Sequence, residues 1–380
     1  MKSTKLVCHL LKVLLTSVVF ISCHRDEAGV IDPVQDPGNS TFLVINEGSY
    51  GRSPASINHY CDGEWKLRLF KGANAGKTLG KTGVNAVMHN TDMYIVSKEG
   101  CFLSQVNKAD LREMARIEMS ETGNNPLGDA VQARNFCVLD EKRGVLTTSG
   151  GAFAVSLSPL KLGKMLTDTE DNEYAFGDIC CVGRYVFLIN NSKIKVFRTA
   201  DLEFVKELGS ASAGFVQTSS GILWASNDTE FVKINSEDLT VERFQLGRDH
   251  HVYYSAGAYR PASLCVSEAG DAIYYVKKTG DGWNVTAKEI WRFDLATRKS
   301  QLFFKPSVDN ISVYGAALAL NPATGDLYVT YTENGNYLNT SFYVIDGKTG
   351  TQKKIIPYTK PNETEYWFPS VVLFVEKNDF

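Results

Sequence analysis

The feature that most constrains the fold is a repeat of four short β-rich runs that begins at Thr41. In each copy a strand of small residues leads into a strand rich in Tyr, Val and Phe. A third strand that ends in Asp or Asn follows, and then a fourth strand. The clearest copy occupies residues 315–356, with turns at 321–326 and 347–350. Six copies recur at intervals of roughly 35 to 55 residues, the length of a four-stranded propeller blade.

The two ends of the chain supply a seventh copy. Residues 41–45, 55–60 and 65–70 give three strands with no first strand before them, whereas residues 368–374 give a first strand with nothing after it. Joined, they complete one blade and remove the open edge of the sheet. We therefore predict an all-β fold over residues 41–380, a seven-bladed β-propeller whose first blade is shared between the N- and C-terminus. A β-sandwich would not explain why the surplus strand and the incomplete set lie at opposite ends.

Residues 1–22 are typical of a lipoprotein signal peptide. Three lysines precede an apolar run over residues 13–21, which is too short to span a bilayer as a helix. The run ends in Ile21 and Ser22 before Cys23. That ending resembles the bacterial lipobox, in which the cysteine is acylated and becomes the mature N-terminus. A plain secretory signal with an incidental cysteine is the alternative.

Residues 23–40 contain acidic residues, proline and glycine without apolar periodicity, and they predict a flexible tether. Acidic residues soon after an acylated cysteine resemble the surface-export signal of Bacteroidetes lipoproteins. Together with Cys23, the segment predicts a protein that is lipid-anchored in the outer membrane and exposed at the cell surface. The formal net charge of −3 gives no reason to expect a nucleic-acid partner.

Six cysteines remain after the tether, and their spacing fits no metal signature. We interpret them as small apolar core residues. Cys180 and Cys181 are adjacent in a predicted strand, so their side chains should point to opposite faces of the sheet. A disulfide between Cys61 and Cys101 is the alternative that an oxidising compartment would allow.

Loop lengths distinguish the two faces of the predicted ring. Strands alternate in direction within a blade, so the first-to-second and third-to-fourth turns share one face, the short-turn face. The second-to-third loops and the crossovers between blades share the other, the long-loop face. Its long segments include residues 71–83, 167–176, 248–260, 277–288 and 332–340. Because excess loop length costs ordering entropy, we predict that a small-molecule ligand or a partner binds there, over the central channel.

The long-loop face combines aromatic, amide and arginine side chains. Flat rings contact the apolar faces of a ligand while amides meet its polar groups, so this mixture suits a rigid amphipathic molecule. The candidate ligand-binding residues are Tyr50, Arg52, Asn125, Tyr174, Asn227, Tyr253, Tyr254, Arg260, Trp283, Tyr314, Tyr337 and Trp367. The alternative for each aromatic residue is that it packs its loop onto the rim of the ring.

No catalytic or metal motif stands out. His250 and His251 are adjacent in an extended segment, where imidazoles diverge, and no acidic residue lies at a helpful spacing. The chain has no nucleophile elbow, P-loop or zinc-protease motif. We therefore predict a protein that is not an enzyme and that holds neither a metal nor a cofactor. Single residues from several blades could still assemble a catalytic site that the sequence hides.

Two end motifs carry a resemblance. Leu43-Val-Ile-Asn-Glu-Gly48, followed by Ser53-Pro-Ala-Ser-Ile57, resembles the opening of Bacteroidetes propeller lipoproteins, and Tyr366-Trp-Phe-Pro-Ser370 resembles their closing segment. The repeat between them is similar to the YncE-like β-propeller, and the group includes the cobalamin-binding BtuG surface lipoproteins. The resemblance implies capture of cobalamin or another corrinoid for a TonB-dependent outer-membrane transporter. A propeller that binds a glycan or a protein, without catalytic activity, is the alternative.

Overall fold

A computed structural model describes residues 41–49, 53–118, 131–169, 176–255, 258, 260–280, 285–358 and 368–375. Within these ranges the chain forms seven antiparallel sheets of four or five strands. The sheets follow one another in a ring, which confirms the predicted seven-bladed β-propeller. Across the same ranges, no helix combines the length and the apolar character that a membrane crossing requires.

The strands succeed one another from the inside of each blade to its outer edge. Blade 1 contains β1 (Phe42–Asn46), β2 (Ser56–Cys61), β3 (Glu64–Lys66) and the last strand of the chain, β30 (Pro369–Phe374). A short helix, α1 (Leu69–Ala73), leads from blade 1 to blade 2. Blade 2 contains β4 (Lys81–His89), β5 (Asp92–Glu99), β6 (Cys101–Asn107) and β7 (Glu113–Glu118). Blade 3 contains β8 (Ala133–Asp140), β9 (Arg143–Thr148), β10 (Gly151–Leu157) and β11 (Leu160–Met165).

The second half of the ring has the same order of strands. Blade 4 contains β12 (Phe176–Val182), β13 (Tyr185–Asn190), β14 (Lys193–Arg198) and β15 (Phe204–Ser210). Blade 5 contains β16 (Phe215–Gln217), β17 (Leu223–Ser226), β18 (Glu230–Ile234) and β19 (Val241–Gln245). Blade 6 contains β20 (His251–Val252), β21 (Leu264–Val266), β22 (Ala272–Thr279), β23 (Thr286–Asp294) and β24 (Lys299–Phe304). Blade 7 contains β25 (Ile311–Ser312), β26 (Leu318–Leu320), β27 (Leu327–Glu333), β28 (Asn336–Ile345) and β29 (Gln352–Tyr358).

The ends of the chain close the ring as the sequence predicts. The sheet of blade 1 has the order β3-β2-β1-β30, so the C-terminal strand is its innermost member. β1 pairs with β2 on one side and with β30 on the other, and Phe42 faces Tyr60 and Phe374 in the two registers. The inner edge of β1, which would be exposed without a first strand, is therefore paired with β30.

Apolar side chains from adjacent blades form the core. The described residues contain seven buried clusters, one at each junction between neighbouring blades. Alternation along β1 shows how a strand serves two of them. Leu43 and Ile45 pack against blade 2, whereas Phe42 and Val44 pack against blade 7. Because both faces of the middle strands are buried, these strands read as almost continuous apolar runs.

Aromatic side chains dominate the junction at which the chain ends meet. The ring of Phe42 is fully buried, and its centroid lies 5.3 Å from those of Tyr328 and Phe342 on blade 7. It also contacts Trp65 on the outer strand of blade 1 and Phe374 on β30, at 5.6 and 6.2 Å. Edge-to-face and tilted contacts of this kind stabilise a cluster beyond its buried area.

The short-turn face is built from local hydrogen bonds, as expected for turns rich in Asp and Asn. At the end of the third strand, an Asp or Asn side chain accepts from backbone N–H groups two or three residues later. Asn235 accepts from Glu237, Asp294 from Ala296 and Thr297, and Asp346 from Lys348 and Thr349. These side chains therefore form the turns.

Two of the predicted long loops contain the ends of paired strands. In residues 277–288, β22 continues to Thr279 and β23 begins at Thr286. In residues 332–340, β27 and β28 are joined by a tight turn at Asn334 and Gly335, and Thr332 and Thr340 are buried. Threonine- and asparagine-rich hairpin ends look like loops in sequence, although threonine is a good strand former. The long segments of the long-loop face are thus mainly the crossovers between blades.

The cysteines behave as core residues. All six fall within the described ranges and all are free thiols, so the alternative disulfide between Cys61 and Cys101 is not formed. Cys180 packs against the cluster between blades 4 and 5, whereas Cys181 packs against the one between blades 3 and 4. The expected divergence of the two adjacent side chains is therefore confirmed.

Shortening Phe42 should weaken ring closure far more than shortening an aromatic residue on the rim. We expect Phe42→Ala to lower the free energy of unfolding by about 3–5 kcal/mol, because it empties a buried site that other side chains fill poorly. Phe204→Ala is the matched control, since Phe204 is 36% exposed on β15, and its loss should be less than about 1.5 kcal/mol. Urea denaturation followed by tryptophan fluorescence measures both. Equal losses would contradict the role given to the closing cluster.

Candidate functional site

The first strands of the blades surround the central channel. Each of them runs from the long-loop face to the short-turn face, because the crossover from the preceding blade enters at the long-loop face. The beginnings of these strands therefore lie around the channel mouth on the long-loop face. Residues far apart in sequence meet there, one or two from each blade.

Polar side chains on the first strands join successive blades. The hydrogen bonds run from Ser370 Oγ to Gly83 O (2.7 Å), from Asn85 Nδ2 to Asn135 Oδ1 (3.3 Å), from Asn135 Nδ2 to Gly177 O (2.5 Å) and from Phe215 N to Asp178 Oδ2 (3.0 Å). They link blades 1 to 2, 2 to 3, 3 to 4 and 4 to 5. These amides, hydroxyls and the Asp178 carboxylate already have partners within the wall, so they make the channel rigid.

The first strands of blades 6 and 7 are interrupted. In blade 6, β20 and β21 both pair with β22 and are separated by residues 253–263. In blade 7, β25 and β26 both pair with β27 and are separated by residues 313–317. Four of the predicted ligand-binding residues lie in these breaks: Tyr253, Tyr254, Arg260 and Tyr314.

Gly315 holds the two breaks against each other. Its φ is +58°, a left-handed backbone conformation that glycine adopts at little cost. A Cβ at this position would lie 2.5 Å from the carbonyl oxygen of Arg260 and 2.8 Å from Cβ of Ala258. The next residue, Ala316, donates its N–H to the same Arg260 oxygen at 2.7 Å. Only glycine allows this close approach of blades 6 and 7.

Arg260 extends across the channel in front of blade 7. Its Nη1 donates to the carbonyl oxygen of Ser370 on β30 at 3.1 Å, and the side chain remains partly exposed. Burial lowers the pKa of the guanidinium, while the charges of Asp178 and Glu47 act in the opposite direction. The pKa is lowered overall, so the neighbouring negative charges do not fully compensate for the burial of the guanidinium.

Tyr254 lies in the break of the first strand of blade 6. It remains 43% exposed, more than most large apolar side chains of this protein. Restricted solvent raises the pKa of its hydroxyl, and the charge of Arg134 partly opposes the shift. Arg134 lies on β8 of blade 3, three blades away around the ring. A charge from the opposite side of the ring thus acts on this hydroxyl, while the side chain itself stays accessible to solvent.

Tyr253, Tyr314 and Asn227, three of the predicted residues, have partners within the protein. Tyr253 is 7% exposed, and its hydroxyl donates to the carbonyl oxygen of Val313. The hydroxyl of Tyr314 donates to Glu47 at 3.3 Å, while its ring packs on Phe368. Asn227 shapes the turn between β17 and β18, where its amide donates to Glu230 and accepts from two backbone N–H groups. These contacts favour the packing alternative for all three.

The remaining candidates are not placed by the structure. Tyr50, Arg52, Asn125, Tyr174, Trp283 and Trp367 lie outside the described residues. Tyr337 lies on β28, but its side chain is outside the described part. Their assignment to ligand binding stays a prediction.

A cavity lies in the channel below this mouth. It has a volume of about 190 Å³ and is lined by residues of four blades: Arg260, Asn85, Ala86, residues 316–319, Thr330 and residues 369–372. Cavities that enclose drug-sized molecules usually exceed about 300 Å³. The channel can therefore accept a small group, whereas a larger ligand would have to rest on the long-loop face with only a part of it inside.

Sequence reasoning missed the channel residues Asn85, Asn135 and Asp178. The sequence does contain a signal for these three residues. Each follows the small or buried residues that begin a first strand, and each does so at the same position of its repeat. Aligning the copies with one another would have shown this recurring polar position. Arg134 and Glu47 gave no such signal, since their role depends on partners from distant blades.

The two adjacent histidines diverge, as expected. His250 packs edge-on against Trp291, with ring centroids 4.4 Å apart. His251 Nδ1 instead donates a hydrogen bond to the carboxylate of Asp228 at 2.8 Å, and Lys278 contacts the same carboxylate at 3.1 Å. Asp228 comes from the neighbouring blade, so spacing in the sequence does not reveal this contact. Within the described ranges, no three His, Cys, Asp or Glu side chains gather closely enough to hold a metal ion.

The channel mouth also bears on the catalytic alternative. Two arginines, Arg134 and Arg260, and two carboxylates, Asp178 and Glu47, surround it together with amides and aromatic rings. A mouth with only amides and aromatic rings would have counted against catalysis. Because the mouth contains these arginines and carboxylates, a catalytic site remains an alternative to a binding site. Both carboxylates, however, already accept hydrogen bonds from the protein.

Adding a methyl group at Gly315 should disturb the site and the fold together. We expect Gly315→Ala to lower the free energy of unfolding by at least about 2 kcal/mol more than Gly335→Ala, because its Cβ meets a backbone oxygen. Gly335 is the control, since its φ is +77° but nothing lies within 4 Å of a Cβ there. Its own loss should be about 1 kcal/mol. Urea denaturation of both variants checks the difference, and similar values would contradict the close approach.

Solved structures with the same fold are distant in sequence. A "putative 6-phosphogluconolactonase" from Bacteroides fragilis matches 91% of this chain and all of its own at 12% identity, with a TM-score of 0.54. The extracellular domain of a "putative hybrid two component system" from B. thetaiotaomicron matches 80% of this chain at 12% identity and TM-score 0.51, but the match spans only 38% of that longer chain. Dihydro-heme d1 dehydrogenase in complex with DHE matches 87% of this chain and 75% of its own, at 12% identity and TM-score 0.51. These likenesses concern the fold.

Comparison by sequence identifies a family. No curated protein matches the chain. A family model does match residues 40–375, which include the whole closed ring from β1 to β30. The match begins two residues before the first described strand and ends one residue after the last. The chain thus belongs to the family described as "Domain of unknown function (DUF5074)".

Proposed function

We propose that this chain is a binding propeller of the cell surface, without catalytic activity, and that its ligand rests on the long-loop face at the mouth of the channel. The interruption of the first strands in blades 6 and 7 carries the proposal. It directs Tyr254 and Arg260 into the mouth, whereas the polar residues of the other blades are engaged in the wall. Rigid surroundings and a few accessible groups are typical of a preformed ligand site.

A corrinoid is the ligand that we favour, for capture and transfer to a TonB-dependent outer-membrane transporter. The two end motifs support this choice through their resemblance to BtuG-type lipoproteins. The channel cavity of about 190 Å³ is too small to enclose such a ligand, so the flat ring system would lie across the mouth against Tyr254. The extracellular propeller from B. thetaiotaomicron supports a role outside the cell only by analogy of fold.

The orientation of the ring is consistent with this role. The chain enters β1 at Thr41 from the short-turn face, because β1 is the second strand of its blade. A tether that ends at Cys23 would therefore attach on the side opposite the channel mouth. The long-loop face would remain free to meet a ligand or a transporter.

Loss of the Tyr254 ring should weaken corrinoid binding. In isothermal titration with cyanocobalamin, we expect Tyr254→Ala to raise the Kd at least about tenfold, since an accessible aromatic ring at a site commonly contributes more than 1 kcal/mol. Met114→Ala is the control, because Met114 is 50% exposed on the outer strand β7 and far from the channel. Its Kd should equal that of the unaltered chain.

The outcome without binding is equally informative. If the unaltered chain releases no heat with cyanocobalamin at micromolar protein, the corrinoid proposal is wrong. A glycan array then tests the alternative of a glycan-binding propeller, and Tyr254→Ala should reduce any signal found there.

Cys23 should determine membrane attachment. In cells fed an alkyne fatty acid, we expect the unaltered chain to carry the label and to sediment with membranes, because the acyl chains anchor it. Cys23→Ser should lose the label and leave the membrane fraction. Cys61→Ser is the control for loss of a thiol elsewhere and should keep both properties. A label that persists in Cys23→Ser would show that the cysteine is incidental.

A further inference from the structure

The guanidinium of Arg260 has unused hydrogen-bonding capacity. An arginine side chain offers five N–H donors in a planar fork. In the part of the chain that the structure describes, Arg260 makes one side-chain hydrogen bond, to the carbonyl oxygen of Ser370, and no ion pair. A charge held away from bulk water without partners destabilises a protein, so such groups are usually paired.

The nearby carboxylates do not serve as its partner. Both oxygens of Asp178 accept backbone N–H groups, from Ile179 at 2.9 Å and from Phe215 at 3.0 Å. Glu47 accepts the hydroxyl of Tyr314. The two charges act on Arg260 through space only, and the pKa of its guanidinium still lies below the usual range because burial dominates.

Arg260 is one of the residues that line the channel cavity. Small side chains of blade 7, Ala316, Ala317 and Ala319, form one wall, and residues 369–372 of blade 1 form another. The volume of about 190 Å³ corresponds to several water molecules, each of which takes roughly 30 Å³ in the liquid. The cavity also offers polar groups, among them Asn85, Thr330 and Ser370. Restricted access of bulk water lowers the local dielectric, which strengthens the attraction between the guanidinium and an anion.

We propose that this cavity is a subsite for an oxyanion group, a carboxylate or a phosphate, held by the fork of Arg260. Arginine binds both groups through two parallel N–H···O hydrogen bonds, a geometry that its planar fork favours. The inference rests on the proposed function in taking the channel mouth as the entry for ligands. It adds that the ligand carries a negatively charged group small enough to enter the channel.

Thermal denaturation of the purified full-length protein tests the subsite. Sodium phosphate and sodium acetate are titrated against sodium chloride at equal ionic strength and pH 7. We expect a saturable rise in Tm with at least one oxyanion, and no rise with Arg260→Gln. Arg260→Lys should require about tenfold more anion, because an ammonium cannot form the bidentate contact. A response to phosphate alone or to acetate alone identifies which group the subsite takes.

Controls separate the subsite from general effects of salt. Arg292→Gln removes an arginine that pairs with Asp271 and Asp294 near the short-turn face, and it should keep the full response. Equal shifts in the unaltered chain and in Arg260→Gln would overturn the proposal, as would the absence of any shift at tens of millimolar anion. If Arg260→Gln fails to fold, crystals soaked in selenate decide: an anomalous peak beside Arg260 supports the subsite, and an empty cavity refutes it.

The anion experiment and the corrinoid experiment can fail independently. Tyr254→Ala should keep its response to the oxyanion, because its ring lies at the mouth and not among the cavity walls. An anion response without cyanocobalamin binding supports the subsite and refutes the corrinoid. Cyanocobalamin binding that is unchanged in Arg260→Gln, without an anion response, refutes the subsite and leaves the proposed function standing.

Discussion

Packing between neighbouring blades is the interaction on which the whole structure depends. A single four-stranded sheet here has two apolar faces, so it is stable only between two others. Strand β1 is an example, because its side chains point alternately to the two neighbouring blades: Leu43 faces blade 2 and Phe42 faces blade 7. Complete burial of one such side chain contributes about 1.5–3 kcal/mol. A row of blades would leave two faces exposed, and the ring is the arrangement that leaves none.

The closed ring in turn determines what the channel can do. Its wall is held by side chains that link one blade to the next, such as Asn85 and Asn135. Interrupted first strands in blades 6 and 7 depart from this regular wall and bring Tyr254 and Arg260 to the mouth. A rigid frame with a local irregularity places accessible groups accurately without requiring a flexible loop. The irregularity depends on Gly315, which no other residue type replaces without strain.

The fold could be predicted because its signals are local and repeated. Four-strand copies and the surplus strand at residues 368–374 each follow from patterns within a few dozen residues. The hairpin at residues 332–340 was mistaken for a loop, since polar strand ends lack the apolar alternation that marks a strand. Tyr254 and Arg260 were found from residue type and loop position. Asp178 and Arg134 were not, because their importance arises from blades that only the closed ring brings together.

The central position of β1 has a mechanical consequence. The strand lies between β2 and β30, with five paired residues on each side. A pull applied through the residues before Thr41, against resistance at the opposite face, would act along the axis of β1. Such a load stretches all the flanking hydrogen bonds at once and does not open them one after another. The seam that closes the ring is therefore loaded in shear, the direction in which antiparallel strands resist force best.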